Sequence, residues 1–347
     1  MKLTRIMAGI LLLFGVFATL CSCTGYYWQS VQGQLGVFSA QQPIESLLEN
    51  PPTDLPVETQ AKLETVLKAR QFASDSLQLP RNDSFTLYAN LKRPYVVWSV
   101  MASPALSLEA TQWCYPVVGC AAYRGYFKQS DAEAFASELK GKGFDVVVSG
   151  IPAYSTLGWF DDPVFHPVLS WPETSVVGLI FHELAHAQLY IKGDSTFNES
   201  FATAVEIAGV RQWLKVTQQP DLLEQFEKKH ALKKAFIDFV LSYRRQFKTL
   251  YSSDGVDEVK RQEKAKLMTQ MQADYQKIKI QWGSNVYDPW MASLNNAKLN
   301  TLSTYYKYVP KLLQEIENKK EFKHFYRYAD TLSDFSIDKR ARVLSSE

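Results

Sequence analysis

The chain has 347 residues, with 38 Lys+Arg against 36 Asp+Glu, 46% hydrophobic and 21% charged residues, the make-up of a folded globular protein. Its 16 Gly, 15 Pro and 4 Cys exclude collagen-like repetition, whole-chain disorder and a disulfide scaffold. A formal charge of +2 holds no basic excess for phosphate, so nucleic acid is not an expected partner.

Lys2 and Arg5 precede an apolar run from Ile6 to Leu20, the form of a secretory signal. The run is short of the ~20 residues that a spanning helix needs. Leu20-Cys21-Ser22-Cys23 resembles the lipobox of bacterial lipoproteins, with Cys23 as the lipidated residue and residues 1–22 as the removed signal. Cys21 fits that pattern badly, because bulky Leu20 would occupy the cleavage position. Two or more acyl chains on Cys23 would suffice for stable anchoring. Thr24, rather than Asp, follows; the resemblance implies sorting to the periplasmic side of the outer membrane, with the membrane as partner through the N-terminal lipid. The competing reading is a soluble secreted protein with a chance cysteine. Removing residues 1–22 leaves 36 basic and 36 acidic groups.

Residues 23–58, with Pro43, Pro51, Pro52 and Pro56, read as a tether and entry segment holding one short helix at Ile44–Glu49. Residues 59–347 form the main domain, a mixed part over 59–167 and a helical part over 168–347. Glu58–Leu77 has helical periodicity; Phe85–Tyr88 and Tyr95–Met101 read as strands bounded by Pro94 and Pro104. Cys114 and Cys120 suit a disulfide in an oxidising compartment. Asp131–Lys140 reads as a helix and Asp145–Ser149 as a strand. Beyond Pro172 the pattern is helical: Thr174–Ile191, Thr196–Val216, Asp221–Leu250, Val256–Ile280, Asn295–Tyr308 and a last helix over Lys311–Asp334. The expected class is α+β, mostly helical.

Chemistry gathers in the apolar Thr174–Ile191 segment, which holds His182-Glu183-Leu184-Ala185-His186. Spacing of four places both imidazoles on one helix face, close enough to share one ion, with Glu183 placed to take a proton from an activated water. Two of the five His in the chain fall here, on a helix where imidazoles and a carboxylate are costly without partners. A catalytic zinc site needs a third protein ligand, and Glu199 is the candidate on the next helix. Thr196-Phe197-Asn198-Glu199 also matches a capping box, in which Glu199 would reach back to the Thr196 N–H. The ligand count favours the metal role. Asp194 and Glu206 are candidates to orient a ligand imidazole. His166, His230 and His324 lack partners at ligand spacing and read as structural or surface residues.

His182–His186 followed by Phe197-Asn198-Glu199-Ser200-Phe201-Ala202 resembles a bacterial family of lipoproteins classed as zinc aminopeptidases, with the HExxH-plus-Glu pattern of gluzincins. The resemblance extends to Tyr123-Arg124-Gly125-Tyr126-Phe127, to residues 153–163 and to Asn295-Asn296-Ala297. It implies one Zn²⁺, a peptide substrate and an envelope location. Over the resembling stretch, from about Tyr26 to Tyr326, Arg124, Tyr154, Tyr305 and Tyr306 are candidates for the oxyanion or for substrate, and residues 153–163 for a strand edge along which a peptide lies. The other functional class is an envelope binding or scaffold lipoprotein that retains the metal site for structure.

Overall fold

The computed structural model describes residues 25–115, 119–153 and 161–345, the side chains at 303–305 excepted. The signal region with Cys23, Tyr154 and most of the 153–163 segment lie outside the described residues. So does the side chain of Tyr305.

The chain opens with helix α1 over residues 25–39, followed by β1 (Gln41–Pro43) and α2 (Ile44–Glu49). The expected tether is therefore folded and packed from residue 25 onward. Val37, Ile44 and Leu47 are buried, because apolar side chains at helical spacing find the body of the protein to cover them. Helix α3 (Val57–Asp75) leads to strands β2 (Leu87–Ala89) and β3 (Val97–Pro104), then β4 (Trp113–Tyr115), β5 (Gly119–Ala121) and β6 (Arg124–Tyr126). Helix α4 (Gln129–Gly141), β7 (Phe144–Ile151) and β8 (Val164–Phe165) complete the mixed part. The pairings make three small sheets: β1-β2-β8, the antiparallel β6-β3-β7, and the β4-β5 hairpin. Cys114 and Cys120 lie directly opposite in that hairpin and form a disulfide.

The helical part runs α5 (Glu173–Gln188), α6 (Ser195–Val216), α7 (Pro220–Ser252), α8 (Asp257–Trp282), α9 (Asp288–Ala292), α10 (Asn296–Tyr306), α11 (Val309–Lys319), α12 (Phe322–Ser333) and α13 (Ile337–Ser345). Pro220 opens α7 at a position where its missing N–H is harmless, and Gly283, at φ +61°, closes α8 in the left-handed conformation. The single last helix expected over 311–334 is instead two. Lys320 takes φ +62°, which turns the chain between α11 and α12. Apolar spacing resumes at once, so periodicity alone does not reveal the break.

The main core joins α2, α3, α5, α6, α11, α12 and α13, with Leu63, Phe72, Phe181, Phe201 and Phe325 among its buried residues. A second core closes α7 on α8 and α10 through Phe236, Val240, Phe247, Met271, Tyr275 and Leu299. A third fills the space between β3, β6, β7 and α4. The Asn295–Ala297 segment is the seam between sheet and helices. Asn296 donates from Nδ2 to the carbonyls of Pro104, Ala105 and Ser107, and its backbone N–H donates to Asp145. Lys264 meets the same Asp145 carboxylate at 2.6 Å.

Candidate metal centre

Helices α5 and α6 run antiparallel, as the register of their contacts shows: His186 faces Glu199, His182 faces Glu206, and Gly178 faces Glu206 and Val210. Small residues let the two helices close. A Cβ on Gly209 would stand 2.7 Å from both Leu77 and Phe181, and one on Gly178 would press on the Glu206 side chain at 3.2 Å. Larger residues at either position would hold the ligand-bearing faces apart.

The connection from α5 to α6 is pinned by side chains. Asn198 is buried and accepts from the Ile191 N–H while donating to the Ile191 carbonyl, both at 2.8 Å. The helix N-cap is Asp194, which accepts from the Phe197 N–H at 3.0 Å; Thr196 is not the cap. Glu199 thus lies beyond the reach of a capping box, and its carboxylate turns to the imidazoles instead. Asp194 does not orient a ligand imidazole either. Its other oxygen takes the guanidinium of Arg340 from α13, an ion pair with 2% exposure on the Arg side.

His182, His186 and Glu199 each bring one donor atom to a point where all three lie within 4.8 Å of one another. His182 Nε2 is 3.3 Å from Glu199 Oε2, and His186 Nε2 is 3.8 Å from Glu199 Oε1. The second nitrogen of His182, Nδ1, is 3.1 Å from Glu206 Oε2. Glu206 therefore fixes the ring orientation, as an outer carboxylate does for a ligand imidazole. His186 Nδ1 is buried without a hydrogen-bond partner among the described residues. Glu183, half-buried, is the neighbour of His182 on α5.

The two imidazoles are shifted in opposite directions. Burial works against a charge on His182, but the hydrogen bonds with Glu199 and Glu206 outweigh it and hold the imidazole up at about 10. Burial, and then the charge on His182, push His186 down to about 4. Glu206 lies below the usual carboxylate range: burial opposes this, and the hydrogen bond and charge of His182 prevail. Two imidazoles and a carboxylate with nitrogen and oxygen donors aimed at one point form a donor set that suits Zn²⁺.

Three phenols border this cluster. Tyr123, in the turn before β6, is 55% exposed overall, and its phenol is raised by desolvation and then by the charge of Glu199 and, more weakly, Glu183. Tyr190 is raised by burial and by Glu199, and its ring meets His186 edge to face at 6.2 Å. Tyr306 lies on the Glu206 side, raised by burial and that carboxylate, with Lys233 Nζ 4.7 Å over its ring. The Arg124 guanidinium lies 4.0 Å over the Tyr26 ring and 4.7 Å over Phe135. Its neighbour Tyr123, which sequence reasoning did not single out, is the one that senses the charges of Glu199 and Glu183. A turn residue has no periodicity to say which way it faces. His166 Nδ1 pairs with the Tyr88 hydroxyl at 2.7 Å, and His230 stacks on Phe226, both structural placements.

The family model described as "Putative aminopeptidase" matches residues 25–344. No curated protein and no solved structure matches the chain.

Proposed function

The chain belongs to that aminopeptidase family, and we propose that it is a zinc-dependent peptidase of the bacterial envelope whose ion is held by His182, His186 and Glu199. The observation that carries this reading is the convergence of three donor atoms at the α5–α6 crossing, with Glu183 next to His182 on the same helix. Among the described residues this His/His/Glu set is the metal-binding group that assembles, and a structural zinc site is usually closed by four protein ligands. Three favours a site that leaves room for substrate.

Bound Zn²⁺ supplies Lewis acidity, enough to bring the ionisation of a water near neutrality and to polarise a peptide carbonyl. With the ion in place, Glu183, next to His182 on α5, would serve as the base that takes a proton from the attacking water and returns it to the departing amine. Tyr123, whose phenol senses the charges of Glu199 and Glu183, is the candidate to donate a hydrogen bond to the developing oxyanion. Glu206 holds the His182 ring so that Nε2 faces the ion site. Cys23 carries the lipid anchor, and the mass of the mature N-terminus tests that part alone; an unmodified Cys23 refutes it.

The test of the peptidase is zinc stoichiometry together with kcat/KM on a broad peptide library. His186→Ala and Glu199→Ala should lose most of the metal. Glu183→Gln should keep it and fall ~10²-fold or more in kcat/KM. Full activity in Glu183→Gln overturns the assigned base. A zinc-loaded wild type that cleaves no peptide in the library moves the protein to the class of scaffold lipoproteins.

A further inference from the structure

Helix α1 has two faces of opposite meaning. Its inner face is fixed to the body: Tyr26 stacks on Tyr115, Gln29 accepts from the Phe127 N–H at 3.0 Å, and Val37 is buried. Gly33 is required there, because a methyl group at that position would collide with the Phe127 ring. The outer face presents Trp28, Val31, Leu35 and Phe38 at helical spacing, with Tyr27 beside them. Trp28 is 64% and Leu35 59% exposed. Other exposed large hydrophobic residues, such as Val57, Val216, Val256 and Ile337, are dispersed along the chain, whereas these five fall within a single short helix.

We infer that this face of α1 lies in the surface of the lipid bilayer, so that the protein grips the membrane directly and not only through a lipid on Cys23. Three observations select the bilayer over a second copy of the chain. Only three residues of chain lead from Cys23 to Tyr26, which is already packed on the body, a span of at most ~10 Å. An anchor at Cys23 therefore leaves no slack and brings α1 to the membrane. Next, no charged residue occurs from Ile6 to Ile44, so nothing on α1 resists entry into the acyl boundary. Finally, Tyr27 and Trp28, the ring types that settle at membrane interfaces, stand at the end of the helix closest to the anchor.

The inference uses the envelope reading to choose the occupant, and its test uses neither activity nor the lipid. The chain from Thr24 onward retains every described residue and carries no acyl group. It should co-float with phosphatidylcholine vesicles and with phosphatidylethanolamine–phosphatidylglycerol vesicles alike, and remain bound in high salt, since α1 has no charge to screen. Trp28→Ser combined with Leu35→Ser should lower the bound fraction ~10-fold or more at an unchanged unfolding midpoint, because both side chains are exposed. Absence of flotation, equal flotation of the double variant, or release by salt overturns the inference. So does a lipid-free wild-type dimer that the double variant converts to monomer, which would make the face a contact between copies.

Discussion

Asn198 offers the most direct test of how the third ligand is presented. Its side chain is 1% exposed and closes two hydrogen bonds of 2.8 Å on the backbone of Ile191, across the turn between α5 and α6. Asn198→Ala removes both, at about 1 kcal/mol each, and leaves the half-buried N–H and C=O of Ile191 to find water, a further cost of about 1–2 kcal/mol. The sum is ~3–4 kcal/mol of stability, read as a lower midpoint of urea unfolding in the metal-free protein. Because Asn198 directly precedes Glu199, the freed turn should also loosen zinc by ~10–100-fold, the usual cost of losing an outer support. A competitive chelator titration measures it. Asn198→Asp keeps an acceptor for the Ile191 N–H but has no donor for the carbonyl, so it should fall between wild type and Asn198→Ala. A loss below ~0.5 kcal/mol with unchanged zinc affinity would refute the idea that this clamp sets the ligand.

Glu206→Gln should weaken zinc ~10-fold by removing the charge that holds His182 Nδ1, with chelator competition as the measurement. Tyr123→Phe should lower kcat by ~10²-fold with little change in KM if the phenol serves the oxyanion; the reverse pattern would assign it to substrate binding. Gly209→Ala should destabilise the protein by ~1–3 kcal/mol, because the added methyl would meet Leu77 and Phe181 at 2.7 Å; an unchanged urea midpoint would contradict that packing.

What the sequence could disclose depended on whether the relevant partners were local. Apolar periodicity located α3, α4 and α5 to α8 within a few residues of their ends, since each buries one face against the body. Spacing of four put His182 and His186 on one face, and a short connection brought α6 back with Glu199 opposite. The failures have a common cause. Asp194 reads locally as a carboxylate to orient an imidazole, whereas it is the helix cap and is held by Arg340, 146 residues away. The rings that flank Arg124, Tyr26 and Phe135, come from two other elements and leave no trace in its own segment. The three-residue strands β4, β5 and β6 are too short to show alternation, and their pairing comes from neighbours. Residues 25–39 looked like linker because an uncharged stretch beside a signal gives no hint that Gly33 is shaped to fit Phe127.

The Arg340–Asp194 pair ties the far end of the polypeptide to the first turn of the helix that carries Glu199. Arg340 also donates to the carbonyls of Leu332, Ser333 and Phe335, so it gathers the end of α12 and the turn that follows while it neutralises the cap. A chain still emerging from a ribosome or a translocation channel has the HExxH helix long before it has residue 340. Until then the Asp194 carboxylate would be an unpaired charge in a closing core, a state that costs ~3–5 kcal/mol when a buried partner is missing. Maturation of the centre is thereby deferred until Arg340 has joined the fold. By the same logic, a cleavage that removes Arg340 would unsettle the centre without touching a single one of His182, Glu183, His186 or Glu199.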